Sequence, residues 1–134
     1  MTEAAYEATT RDITVRVRPT YLPDQSEADE RRWVWAYTIE VENRGTDQVQ
    51  LLSRHWIITD ATGRVEEVRG PGVVGEQPVL QPGERFTYTS GCPLPTPSGV
   101  MAGSYNMTNQ AGAQFDVEIP AFSLDLPNAR RVVN

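Results

Sequence analysis

The chain has 134 residues, with 12 arginines, no lysine and 18 acidic side chains, for a formal net charge of −6. That length supports one domain that buries roughly two-thirds of its unfolded surface without disulfide or metal staples. An acidic, lysine-free surface offers no basic patch, which excludes duplex nucleic acid held by phosphate neutralisation.

The N-terminus, MTEAAYEATTRD, has no basic segment followed by an apolar run, so no signal peptide is expected. No apolar run reaches the ~18 residues a membrane span needs. Cys92 is the lone cysteine and forms no internal disulfide. These features predict a cytoplasmic protein. Residues 1–10 are small and polar without a period, which predicts a flexible N-terminal arm.

From residue 11 the chain alternates with period two. Ile13, Val15 and Val17 alternate with Thr14, Arg16 and Arg18. Residues 22–32, LPDQSEADERR, form a charged loop. Trp33, Trp35, Tyr37, Ile39 and Val41 then share one face of a long extended run. Val49 and Leu51, and after them Trp56 and Ile58, make two shorter runs. Val65 and Val68 bracket Glu66 and Glu67, which predicts a bulge or a short edge strand. Phe86 and Tyr88 begin another strand. Cys92 is expected in a loop as a small, partly buried side chain. Met101, Gly103, Tyr105 and Met107 share a face, with Gly103 marking a bulge or a close backbone approach. Phe115, Val117 and Ile119 close the pattern. Residues 127–134 read as a C-terminal tail.

Turn chemistry separates the runs at Asn43-Arg44-Gly45, Asp60-Ala61-Thr62-Gly63, Gln81-Pro82-Gly83-Glu84, Thr96-Pro97-Ser98-Gly99 and Gln110-Ala111-Gly112. No window carries helical periodicity free of breakers. The chain therefore reads as all-β: an antiparallel two-sheet sandwich of the immunoglobulin or fibronectin-III kind. About seven to nine strands fit over residues 11–126. Trp33, Trp35 and Trp56 are expected to pack in its core.

Gly70-Pro71-Gly72-Val73-Val74-Gly75 matches G-x-G-x-x-G, whose glycines in dinucleotide-binding folds let backbone approach a pyrophosphate. Pro78 and Pro82 forbid the helix that such a site requires, and Pro71 lacks an N–H. A long loop between strands is the expected role. The alternative is a phosphate-binding loop built from Gly70, Gly72 and Gly75, with Arg64 or Arg69 as counter-charge. Asp24, Glu27, Asp29 and Glu30 lack Ca²⁺-loop spacing. One histidine and one cysteine cannot build a transition-metal cage, so no metal or cofactor is assigned. Ser53 lies too close to His55 for a catalytic triad, and there is no G-x-S-x-G elbow, so no enzyme is expected. His55 is expected to be a strand residue satisfied by hydrogen bonds or solvent.

The stretch from Tyr37 to Gly91, YTIEVENRGTDQVQLLSRHWIITDATGRVEEVRGPGVVGEQPVLQPGERFTYTSG, resembles the ApaG family of small bacterial proteins. The likeness continues through TPSGVMAGSY at Thr96–Tyr105 and IPAF at Ile119–Phe122. It implies a fibronectin-III-like sandwich. It also implies a link to cobalt resistance and magnesium efflux, and an operon shared with a diadenosine tetraphosphate hydrolase. Similar domains in eukaryotic F-box proteins and a polymerase-delta-interacting protein look like interaction modules. Pyrophosphate binding proposed for the family's glycine motif would fall on Gly70, Gly72 and Gly75. The leading expectation is a non-enzymatic module for a protein partner. The alternative is a nucleotide or pyrophosphate sensor at the Gly70–Gly75 loop. No nucleic acid or membrane partner is expected.

Overall fold

The structure, a computed structural model, describes residues 6–127. Nine strands run in order: β1 (Tyr6–Thr10), β2 (Ile13–Tyr21), β3 (Trp33–Asn43), β4 (Val49–Asp60), β5 (Val65–Pro71), β6 (Val79–Leu80), β7 (Arg85–Leu94), β8 (Gly99–Asn109) and β9 (Gln114–Leu124). They form two antiparallel sheets. One has the order β1-β2-β3-β7, the other β5-β4-β8-β9 with β6 also pairing β4. The expected all-β sandwich is therefore observed. No helix among the described residues is long and apolar enough to cross a membrane.

Period-two alternation builds the core directly. Val15, Val17, Trp35, Ile39 and Val41 face inward from the first sheet, and Leu51, Trp56, Met101, Tyr105 and Met107 from the second. Trp35 and Trp56 are buried as expected, whereas Trp33 is only partly buried. The tryptophans do not stack on one another. Trp56 meets Phe122 edge-on at 5.9 Å, and Trp35 meets Tyr21 at 5.5 Å.

Two register shifts reset which side chains face inward. The β4–β8 pairing slips between Leu51 and Ser53, so β4 carries one extra residue there. Without it, Ser53 and His55 would continue the inward row of Val49 and Leu51. With it, Arg54, Trp56 and Ile58 face inward instead. The β8–β9 pairing slips between Met101 and Gly103, where β9 spends the extra residue beside Pro120. Gly103 also marks a close approach, because a Cβ there would fall on the carbonyl oxygen of His55. Both alternatives expected at Gly103 are met.

Two further expectations need correction. The flexible arm over residues 1–10 fails from Tyr6 onward. Tyr6–Thr10 pairs with Ile13–Val17 as β1, and its inner positions are only half-buried, which is why its composition is so polar. Residues 1–5 and 128–134 lie outside the described residues. Cys92 is not in a loop. It sits on β7 opposite Trp35, buried, and burial pushes its thiol up to about 11. Of the two alternatives expected at Glu66 and Glu67, the edge strand is the one observed, with unbroken register and no bulge. The charged loop over 22–32 folds as two short 3-10 turns, Pro23–Gln25 and Ala28–Glu30, tied to β3 by Val34 N–H donating to Ser26 Oγ at 2.9 Å.

Candidate functional site

The G-x-G-x-x-G segment forms the end of β5 and a tight hairpin beyond it. Val73 and Glu76 exchange backbone bonds of 2.8 and 2.9 Å around Val74 and Gly75. Both central residues have positive φ, 43° and 82°, the backbone of a two-residue hairpin turn. Val73 is fully buried and anchors the turn in the core. No helix follows.

Each glycine has a local cause. Gly70 pairs with Arg54 across β4–β5, and its missing side chain leaves room for the Arg54 guanidinium. Gly72 has φ +59°, and a Cβ there would fall on the Glu76 carbonyl oxygen. Gly75 meets nothing within 4 Å, and only its φ favours glycine. Most amides of the segment are used internally. The Gly72 N–H donates to Leu52 O at 2.8 Å, Val73 and Glu76 pair as above, and Pro71 has none. The Val74 and Gly75 amides have no partner within the described residues.

Arg54 is turned inward by the extra residue in β4. Its Nη1 donates to the carbonyl oxygens of Pro71 and Gly72, both at 3.0 Å. It meets no carboxylate at salt-bridge distance among the described residues, whereas Arg16, Arg69 and Arg85 all do. Arg54 lines a pocket of about 200 Å³ with Tyr37, Trp56, Val73, Val74, Gly75, Tyr88 and Ser90. Behind it, the Tyr88 and Tyr105 hydroxyls hydrogen-bond at 2.5 Å. Burial raises the pKa of all three tyrosines. The sequence signal for Arg54 was the odd spacing between Leu51 and Trp56, which betrays the parity switch.

The other residues singled out lie elsewhere. Arg69 is on the outer face beside Glu67, with Nη2 3.4 Å from its carboxylate, so it does not face the hairpin interior. His55 shares that outer face, where its Nε2 and Glu67 Oε1 lie 2.8 Å apart, as expected of a satisfied strand residue. That hydrogen bond, with Arg69 close by, lowers the Glu67 pKa. Asp60 is lowered by bonds from the Thr62 hydroxyl, then the Thr62 and Arg64 amides, which close the β4–β5 turn. Arg64 therefore joins a turn. Among the described residues, no three His, Cys, Asp or Glu side chains gather as a metal site.

The four sheet edges differ. On one side, β1 and β9 are stitched together: the Ser123 N–H donates to Tyr6 Oη and the Glu118 N–H to Thr10 Oγ1, both at 3.2 Å. On the other side, β5 and β7 each pair with one strand only. β5 carries Glu66, Glu67, Arg69 and Pro71. β7 carries no charge from Phe86 to Leu94.

Comparison with known proteins agrees with this architecture. The family model described as the ApaG domain matches residues 23–109. A Protein ApaG from Mesorhizobium japonicum is 62% identical over 129 residues, covering 96% of this chain and 99% of that protein. One from Rhodospirillum centenum is 64% identical over 125 residues, covering 93% and 96%. The crystal structure of a putative ApaA protein from Bordetella pertussis superposes with a TM-score of 0.85 at 53% identity, covering 87% of this chain and 94% of that one. On this sequence and this fold, the chain belongs to the ApaG family.

Proposed function

We propose that this chain is a non-enzymatic, cytoplasmic binding module that takes an extended segment of another protein along the free edge of β7. The contrast between the edges carries the reading. β1 and β9 are closed on each other, and β5 is guarded by the charges of Glu66, Glu67 and Arg69, a device that discourages strand addition. β7 is ten residues long, uncharged beyond Arg85 and free of proline as far as Cys92, with Pro93 only at its end, so over Phe86–Cys92 it offers its outward backbone donors and acceptors to a partner strand. The lone histidine is engaged by Glu67 and the lone thiol is buried, which supports a role without catalysis. The family's link to cobalt and magnesium would then act through the partner. Crosslinked pull-down from native cytosol, followed by hydrogen exchange on the recovered complex, tests the reading. It predicts new protection over Phe86–Cys92. Recovery of no partner above control, or protection confined to other strands, would overturn it.

A second reading is a nucleotide or pyrophosphate sensor at Gly70, Gly72 and Gly75. The free Val74 and Gly75 amides beside Arg54 favour it. Titration of the ¹⁵N-labelled protein with ATP, GTP and diadenosine tetraphosphate, with and without Mg²⁺, tests it. Saturable shifts over residues 69–78 support it, and none at millimolar ligand retires it.

A further inference from the structure

The pocket beside β7 bears on what a partner strand must carry. Tyr88 and Ser90 are inward-facing residues of β7 and form one wall, and the Val73–Gly75 hairpin forms another. The pocket therefore opens on the same side of the sandwich as the free edge. Among the described residues that line it, Arg54 is the one charged group and none is acidic. Among the described residues the two carbonyls on Nη1 are the acceptors that Arg54 meets, and its other guanidinium donors have no partner there. A half-buried cation that meets no counter-ion among the described residues, in a pocket shared with a serine and with two amides that have no partner among those residues, is complementary to a carboxylate.

We infer that the strand added to β7 sets an aspartate or glutamate side chain against Arg54. This rests on the β7-edge reading and specifies its partner. A strand paired to β7 lies about 4.8 Å beyond it, with alternate side chains turned toward the second sheet. That inward row runs along the mouth of the pocket, so one acidic residue in it reaches the guanidinium while backbone bonds hold the strand. The edge supplies affinity and the pocket supplies selection, the division of labour in strand-addition recognition.

Random short peptides displayed on phage and selected on the full-length chain test this directly. The expected binders perturb the Phe86–Cys92 amides and share one acidic position. Changing that residue to Asn or Gln weakens binding about tenfold or more, the scale expected when a paired charge is stranded. In Arg54→Gln the same peptide change has little further effect, and Arg54→Lys recovers part of the preference. The peptide-side substitution leaves the protein fold untouched, so a destabilised Arg54 variant does not blunt the test. Binders on β7 without an acidic preference overturn the anchor and spare the edge reading. No binder on β7, or self-association of the chain through β7 in sedimentation, overturns both. Inorganic phosphate saturating the pocket without competing with acidic peptides makes a free phosphate group the occupant and also overturns the anchor.

Discussion

The Arg54 guanidinium fills the space that a side chain at Gly70 would need: a Cβ built there would stand 3.0 Å from both Nη1 and Nη2. The two residues are cross-strand partners, so one strand's missing side chain houses the other's charge. This explains the first glycine of the motif without a ligand. It also links the hairpin to the pocket, because Arg54 bonds the Pro71 and Gly72 carbonyls that lead into the turn.

The glycines differ in what they tolerate. Gly72→Ala meets both a left-handed backbone and the Glu76 carbonyl, and it should cost about 3 kcal/mol or more. Gly75→Ala meets open space and only the backbone preference, for about 1 kcal/mol. Urea unfolding of both variants measures the difference. An equal cost would contradict the close approach at residue 72.

Val74 is a β-branched residue at φ 43°, a conformation such residues avoid, and it is exposed. Val74→Gly or Val74→Asn should stabilise the chain by about 1 kcal/mol, because both suit this turn. A thermal melt reads the gain. A loss would mean that Val74 makes contacts outweighing its backbone strain.

The Tyr88–Tyr105 hydroxyl pair is buried between the sheets. Tyr88→Phe strands the Tyr105 hydroxyl and should cost about 1–3 kcal/mol. The double change to phenylalanine should cost less than the two single changes summed, since no orphaned hydroxyl remains. Strict additivity in a denaturant cycle would show that the pair is not coupled.

Alkaline pH should weaken the fold. Cys92 is held protonated to about 11 from an ordinary 9, and the three buried tyrosines are raised as well. Raised pKa values mean that the native state keeps protons the unfolded chain releases. The stabilisation is complete below pH 9 and is lost as pH rises through the folded values. The Cys92 share is at most about 3 kcal/mol. Chemical unfolding between pH 7 and 11 should show stability falling from about pH 9, with the first part of the fall missing in Cys92→Ala.

Most of the sandwich was legible in the sequence because one-face burial writes period two into the chain. β3 is the plainest case, where Trp35, Tyr37, Ile39 and Val41 are the residues the core receives. β1 was missed because an edge strand that half-buries Tyr6, Ala8 and Thr10 needs no strong apolar row. The glycine motif was legible as turn chemistry, but the purpose of Gly70 was not, since its reason lies in Arg54 on another strand. Arg54 itself looked like any surface arginine. Only the extra residue in β4 turns it inward, and a bulge declares itself in sequence merely as a change of parity.

Hydrogen exchange on the free chain, resolved amide by amide, tests the central claim most directly. A free β7 edge predicts that amides along Phe86–Cys92 alternate between protected, where they pair with β3, and fast-exchanging, where they face outward. The amides of β3, paired on both sides, should be protected throughout. Uniform protection along β7 in the isolated chain would show the edge already covered and would contradict the account.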